Sequence, residues 1–593
     1  MPNPIRDIQT IDNTHPYIIY QNVSVPLRIG GVIRCNLYLP RGVTEGGRYP
    51  VVATYGPYGK DVPYKDFKIS SFQDLNPEHQ TEHSSWETPT PSYWTRHGYA
   101  VLRADELGTG QSPGPLNQLS STTFDAYQEL IEWAAQQKWS TGKVGLLGVS
   151  YYALTQWQVA ARQPKGLACM IPWEGLSDYY RDGERHGGIL SSNFLRIWYN
   201  RQVKTNQYGR PGREAEKRGP DTVDGDLTQA ELLANEWNAP DDSEQPRFRD
   251  DERWASINYN LEDVKVPFLS VANLGGIGLH LRGNVEGFTH AGSKLKYLRF
   301  IVGRHDLPFY YTESVELQRS FLDAFLKSDD RVGWSTGKLP AVDLVLRKGD
   351  VGVNNAEAEL TFPRRSENEW PIARTKYTPI FLTPDNQMTF EKPSAELSKL
   401  SYRALGTLKS PELLTFTTPP FTTETEITGH IVTHLNVSVT RDAGCPPPSE
   451  IDLFLTLRHI SATGKEIFYT GSSGEGVPVT RGWLRVSMRA TKPDHPRHRA
   501  WLPYRGYYST DVLPVIPGDI YSVDVEIWPT NVVVEKGGQL VLEVSSGDTR
   551  NSSIFQHTHP LDRPASKLQG TNHVHFGPNY VNYMSLPIIP SRD

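Results

Sequence analysis

The sequence predicts an α/β domain interrupted by inserted helices and followed by an all-β domain. From residue 49 to about 176, short β-branched runs alternate with helical stretches, the pattern of a parallel sheet covered by helices. Beyond about residue 335, helical periodicity fades and alternating strand-like segments separated by turn residues take over.

The individual elements follow from their patterns. Residues 50–55 (PVVATY), 99–104 (YAVLRA), 144–148 (VGLLG) and 166–172 (GLACMIP) are runs of strand length, apolar enough for burial on both faces. Between them, Phe124, Tyr127, Leu130, Ile131 and Ala134 fall at helical spacing within 123–137, giving a crossover helix one apolar face. Residues 177–260 break the rhythm, being rich in charge, Asn, Gln and Trp, and predict a helical cap with a helix over 227–237. Alternation resumes at 266–272 and 297–302 and ends in a helix over 312–326. The expected organisation is an α/β domain over 1–176 and 261–330, the cap over 177–260, and a β-sandwich over 335–593. Strands of that sandwich are expected at 341–346, 451–457, 520–527 and 540–544.

Composition narrows the function classes. A chain of 593 residues is too long for one core, and 37% hydrophobic with 11% aromatic residues excludes a disordered chain. A net charge of -6 provides no basic field, so neither nucleic acid nor an anionic membrane surface is an expected partner. No apolar run approaches the ~18 residues of a membrane span, and the start MPNPIRD lacks a leader pattern, which together predict a cytoplasmic protein. Three scattered cysteines, Cys35, Cys169 and Cys445, fit a reducing compartment. The expected partner is a small-molecule substrate; the pattern does not distinguish a monomer from a homo-oligomer. No cofactor is expected, and no metal: the pairs His557/His559 and His573/His575 lack nearby Cys or carboxylate ligands and read as alternating polar positions.

The strongest chemical signal is residues 143–153, KVGLLGVSYYA: a buried strand, Gly-x-Ser, then a helix. A serine on a sharp strand-to-helix turn exposes its hydroxyl, and the crowded backbone there demands small neighbours, which Gly148 and Ala153 provide. The local alternative is a serine that merely caps a helix. A serine nucleophile needs an imidazole delivered from later in the sheet. His305 follows the apolar run 297–302, whereas His186, His280 and His290 compete by composition alone.

Several motifs in order resemble the cocaine esterase / X-Pro dipeptidyl-peptidase (CocE/NonD) group of α/β hydrolases. The elbow resembles that family's G-x-S-Y-x-G, with Ala153 in place of the last glycine. Residues 57–60 (PYGK) resemble its P-Y-x-K, and residues 105–114 its D-x-R-G-x-G-x-S-x-G, with Leu107 in place of the arginine. Residues 131–133 (IEW) and 139–145 (WSTGKVG) match closely. Residues 513–521 (LPVIPGDIY) and 537–540 (GGQL) resemble the family's C-terminal jelly-roll-like domain. The likeness spans about residues 20–550.

The resemblance implies a serine hydrolase acting through an acyl-enzyme, with Ser150 as nucleophile and His305 as general base. It also implies an oxyanion hole made by the Tyr58 hydroxyl and the Tyr151 amide. The family's acid normally follows the strand beginning at Val266, but residues 272–280 (ANLGGIGLH) hold no carboxylate. Glu174, at the end of the preceding strand, is the expected acid, with Asp178, Glu286 and Asn273 behind it; an ordinary pairing of Glu174 with an arginine is the alternative. Esterase is preferred to peptidase. The rival readings are a non-hydrolytic lyase, cyclase or acyltransferase using the same pocket, and a non-enzymatic binding protein led by the β domain.

Overall fold

The structure, a computed structural model, describes residues 6–394 and 396–590. Its first sheet contains 11 strands: β1 (Thr10–Asp12), β2 (Tyr17–Pro26), β3 (Val32–Pro40), β4 (Tyr49–Gly56), β5 (Ala100–Asp105), β6 (Ser140–Val149), β7 (Leu167–Trp173), β8 (Phe268–Asn273), β9 (Lys296–Ile301), β10 (Val342–Val345) and β11 (Arg364–Glu367). They are ordered β1-β2-β3-β5-β4-β6-β7-β8-β9-β10-β11. From β5 through β10 neighbours run parallel, while β1–β3 and β11 extend the sheet antiparallel at its two edges.

Strand periodicity sends alternate side chains to opposite faces, and both faces are covered. Val51, Ala53, Tyr55 and Leu146 pack beneath helix α1 (Ser121–Gln136), helix α2 (Tyr151–Ala161) and helix α3 (Leu281–His290). Val52, Val101, Leu147 and Ile171 pack on the other side against Phe321 and Leu322 of helix α4 (Thr312–Leu322). Helix α1 starts where Ser120 accepts from the Thr123 amide at 3.2 Å, and it buries the five residues whose spacing predicted it.

One strand lies elsewhere than expected. The run 341–346, read as part of the C-terminal domain, supplies β10, which pairs in parallel with β9. A short apolar run alternates alike in either sheet, so pattern alone does not say which free edge it joins. Residues 177–260 form short helices, among them Ser192–Trp198 and Glu252–Ser256, and a small ribbon pairing Arg185–His186 with Ile189–Leu190. The helix expected over 227–237 is confined to Gln229–Ala234, opened by a Thr228/Glu231 capping box.

The second sheet has 12 strands, and the pairings between its strands are antiparallel. The segments expected at 451–457, 520–527 and 540–544 are the strands Asp452–Ile460, Tyr521–Val534 and Gln539–Ser545. Arg185 reaches Asp562 at 2.7 Å, and Asp562 also accepts from Arg485, so buried ion pairs join the two parts of the molecule. Among the described residues no helix is long and apolar enough to cross a membrane.

Candidate active site

Ser150 follows β6 directly and begins α2 with φ 60° and ψ -116°. A non-glycine residue in this left-handed region is strained, and the strain persists because both flanks are pinned. The Ser150 amide donates to the Trp173 carbonyl at 3.1 Å, and the Ser150 carbonyl accepts from Leu154 at 2.8 Å. A Cβ at Gly148 would sit 2.5 Å from the Tyr152 Cβ, so the turn admits no larger residue there.

Tyr58 and Tyr151 stand beside this serine. Tyr151 is the first residue of α2, where a backbone N–H has no acceptor inside the helix. Trp198 Nε1 donates to the Tyr58 hydroxyl at 2.8 Å, filling an acceptor position and leaving the phenolic proton to point elsewhere. Burial, together with the nearby Glu87, pushes the Tyr58 phenol well above its usual range. It is therefore a neutral donor. Lys60 lies apart from the serine: its amide donates to Asp105 Oδ1 at 2.7 Å and its ammonium meets Asn22, Asp61 and Asp105. Asp105 also accepts from the Gln111 amide at 3.0 Å, and a Cβ at Gly110 would fall 2.1 Å from its carboxylate. These two motifs thus brace the loops around the site.

His305 follows β9, as expected, and shares a cavity of about 140 Å³ with Ser150. Its Nδ1 donates to Glu174 Oε2 at 2.9 Å, its Nε2 to Glu87 Oε1 at 3.0 Å, and its amide to the Ser472 carbonyl of the C-terminal part at 3.0 Å. Burial lowers the affinity of this imidazole for a proton, but the carboxylates of Glu174 and Glu87 outweigh it and push the pKa up to about 10. Glu174 is fully buried directly after β7 with φ 48°, and its other oxygen accepts from Asn273 Nδ2 at 3.1 Å. Burial raises its pKa, and the charge on His305 partly offsets this. The other acid candidates are engaged elsewhere: Asp178 with Arg181 and Arg249, and Glu286 with His290 at 3.2 Å.

The imidazole in contact with the serine is that of His280. Ser150 Oγ lies 3.3 Å from His280 Nε2, and the His280 and His305 rings stack at 4.9 Å with an interplanar angle of 6°. Burial, reinforced by the adjacent His305 charge, holds His280 well below its usual pKa and hence neutral. In the sequence His280 appeared only as a competitor to His305, and Glu87 did not appear at all. Glu87 sits in an irregular loop with φ 61°, and its carbonyl accepts from the Val149 amide at 3.1 Å, which seats it beside Ser150.

Two family models match in succession: the X-Pro dipeptidyl-peptidase (S15 family) over residues 30–305, and the X-Pro dipeptidyl-peptidase C-terminal non-catalytic domain over residues 333–585. The cocaine esterase of Rhodococcus sp. is 24% identical, aligned over 97% of this chain and 99% of its own. A CocE/NonD family hydrolase from Staphylococcus aureus superposes with a TM-score of 0.79 at 26% identity, covering 99% of this chain and 98% of its own. The chain belongs to the CocE/NonD group of α/β hydrolases. An aminopeptidase from a marine sediment Thaumarchaeota archaeon shares the fold, with a TM-score of 0.67 at 14% identity over 100% of this chain and 99% of that one.

Against the CocE/NonD motifs, the departures in this chain have local accommodations. Leu107, in place of an arginine, packs into the apolar core. Ala153, in place of the last elbow glycine, lies 3.0 Å from where a Cβ on Gly175 would stand, so the glycine facing it carries the close approach. The carboxylate missing after β8 is matched by Glu174 after β7, while Asn273 at the end of β8 donates to that same carboxylate and to the Gly303 carbonyl at 2.8 Å.

Proposed function

We propose that this CocE/NonD member is a serine hydrolase that cleaves an ester of a small organic substrate through an acyl-enzyme, with amide cleavage a secondary capacity. The observation that carries the reading is a strained serine at the strand–helix turn, sharing one cavity with an imidazole whose Nδ1 is held by a buried carboxylate.

Ser150 Oγ attacks the substrate carbonyl and its proton passes to His305 Nε2, the ring having first become neutral by leaving its Nε2 proton on the Glu87 carboxylate. Glu174 holds the ring in the tautomer that leaves Nε2 as the reacting atom and stabilises the imidazolium that forms. Charge developing on the carbonyl oxygen is met by the Tyr58 hydroxyl and the Tyr151 amide, each such donor being worth about 3 kcal/mol in a tetrahedral transition state. His305 then gives the proton to the leaving alcohol, and water resolves the acyl-enzyme by the same steps in reverse order. His280, neutral and stacked on His305, orients the serine hydroxyl in the resting site.

Phe67, Trp86, Phe194, Trp198 and Phe555 line the cavity, which favours an apolar acyl group of modest size. Phe194 and Trp198 come from residues 177–260, which supports reading that segment as a cap. Phe555 comes from the C-terminal part, which we read as a jelly-roll-like sandwich closing the site from the far side.

The test is a panel of p-nitrophenyl esters and fluorophosphonate labelling, with wild type and Ser150→Ala compared in water enriched in heavy oxygen. Label and turnover both vanish in the variant, and the wild-type acid product carries one solvent oxygen. Labelling that survives Ser150→Ala, or acid without solvent oxygen, overturns the reading.

A further inference from the structure

A second cluster of chemistry-bearing side chains lies apart from the catalytic cavity. His15 stands between β1 and β2, and Glu82 and His83 lie in the loop that leads to Glu87. Each contributes one ligand atom, and the three atoms lie within 4.8 Å of one another. The two imidazole rings meet edge-on, with centroids 4.6 Å apart and planes at 87°.

The surroundings fix how these rings can be used. His83 Nδ1 lies 2.8 Å from the buried Tyr17 hydroxyl; with Nδ1–H donating there, Nε2 keeps its lone pair outward. An outer partner on the far nitrogen is the usual device for orienting a metal-bound histidine. Tyr17 also stacks on His15 at 5.8 Å with an interplanar angle of 17°, so one aromatic residue aligns both rings. Asp12 Oδ2 lies 3.3 Å from His15 Nε2, placing a second carboxylate at the cluster. Arg103 is the nearby cation, and its guanidinium is spent on the His83 and Pro89 carbonyls.

We propose that His15, Glu82 and His83, with a water completing the shell, form a divalent transition-metal site of the Zn²⁺ type. Two imidazoles with a carboxylate oxygen suit a borderline cation in tetrahedral geometry and do not suit Mg²⁺ or Ca²⁺, which prefer all-oxygen shells. The ion would clamp the N-terminal strand pair to the loop that carries Glu87. The His557/His559 and His573/His575 pairs, on which the expectation of no metal rested, are not part of this cluster.

The experiment titrates chelator-stripped full-length protein with ZnCl₂ by calorimetry and with Co²⁺ by visible absorption. Wild type takes up one equivalent, and its Co²⁺ form shows the intense bands of a four-coordinate site. His15→Ala and His83→Ala each weaken binding at least tenfold, and Glu82→Gln, at an exposed position, weakens it without risk to folding. Ser150 labelling persists in all three, which separates this site from the hydrolytic one. Absence of a stoichiometric site in wild type, or binding unchanged in the His15→Ala/His83→Ala double variant, overturns the proposal. So does binding abolished by His280→Ala, which would put the ion in the catalytic cavity.

Discussion

Two imidazoles in this molecule, one lining a cavity and one fully buried, each meet a carboxylate through Nδ1 and differ in their surroundings. His305 donates Nδ1–H to Glu174 at 2.9 Å, and His557, within the C-terminal part, meets Asp548 through Nδ1 at 3.0 Å. What differs is the second nitrogen. His305 Nε2 faces Glu87 at the wall of a cavity that also holds Ser150, whereas His557 Nε2 faces His186 Nδ1 at 2.9 Å. Around His557 and His186 pack Trp483, Trp528 and Phe454, and burial, with His557 beside it, drives the His186 pKa down to about 3. A histidine–carboxylate pair is therefore not by itself a catalytic signature. It becomes one when the free nitrogen opens on a cavity shared with a nucleophile.

The sharpest break between the two sites is kinetic. His305→Ala should lower kcat by about 10⁴-fold or more, and Glu174→Gln by a comparable factor, the size seen when a triad base or its acid partner is disabled. His557→Ala should leave the turnover of folded molecules unchanged. His280→Ala decides the local assignment: if it abolishes turnover while His305→Ala retains it, the serine-contacting imidazole is the base and the roles given to the two stacked rings are exchanged. Steady-state kinetics on an active-site-titrated preparation reads all four variants.

The next effect falls on stability. Removing His557 leaves the Asp548 carboxylate buried without its partner, which should destabilise the protein by about 3–5 kcal/mol in urea unfolding. Burial opposes ionisation of Asp548, but His557 outweighs it and holds that carboxyl below its usual range. A depressed carboxyl contributes stability above its unfolded pKa and loses it as pH falls. The gap between variant and wild type should therefore be widest near neutrality and narrow on acidification. A gap constant with pH would mean that His557 acts through packing alone.

Legibility in the sequence follows this same division between contiguous and assembled features. Ser150 is readable because strand, Gly148, serine and helix are contiguous, and contiguity is what a pattern records. His305 and Glu174 are readable because each lies at or just beyond the end of an apolar run, where an open α/β sheet gathers its functional groups. Glu87 is not, because its loop has no periodicity and reaches the site through one backbone bond to Val149 and a left-handed residue. The contact between His280 and Ser150 is equally hidden, since it depends on how α3 starts after β8. Sheet membership of β10 is hidden for another reason: alternation specifies a strand but not its neighbour.

Glu87 sets the smallest and most diagnostic effect. It has no counterpart at His557, where the second nitrogen meets another imidazole, and its Oε2 is buried without a hydrogen-bond partner. A base must be unprotonated to act, and the two carboxylates around His305 favour its protonated form, so kcat/KM should fall on the acid side of a raised apparent pKa. Glu87→Gln removes one of the two charges and leaves the shape intact. The imidazolium is then less stabilised, the neutral base is populated at lower pH, and the acid limb should move to lower pH by roughly one unit or more, the size an opposite charge at hydrogen-bond range exerts. Because the buried Glu87 carboxyl is itself shifted upward, an unmoved limb would mean that it is already protonated in the free enzyme and hydrogen-bonds His305 without adding charge. That result would remove Glu87 from the electrostatics and leave Glu174 as the sole anion acting on the base.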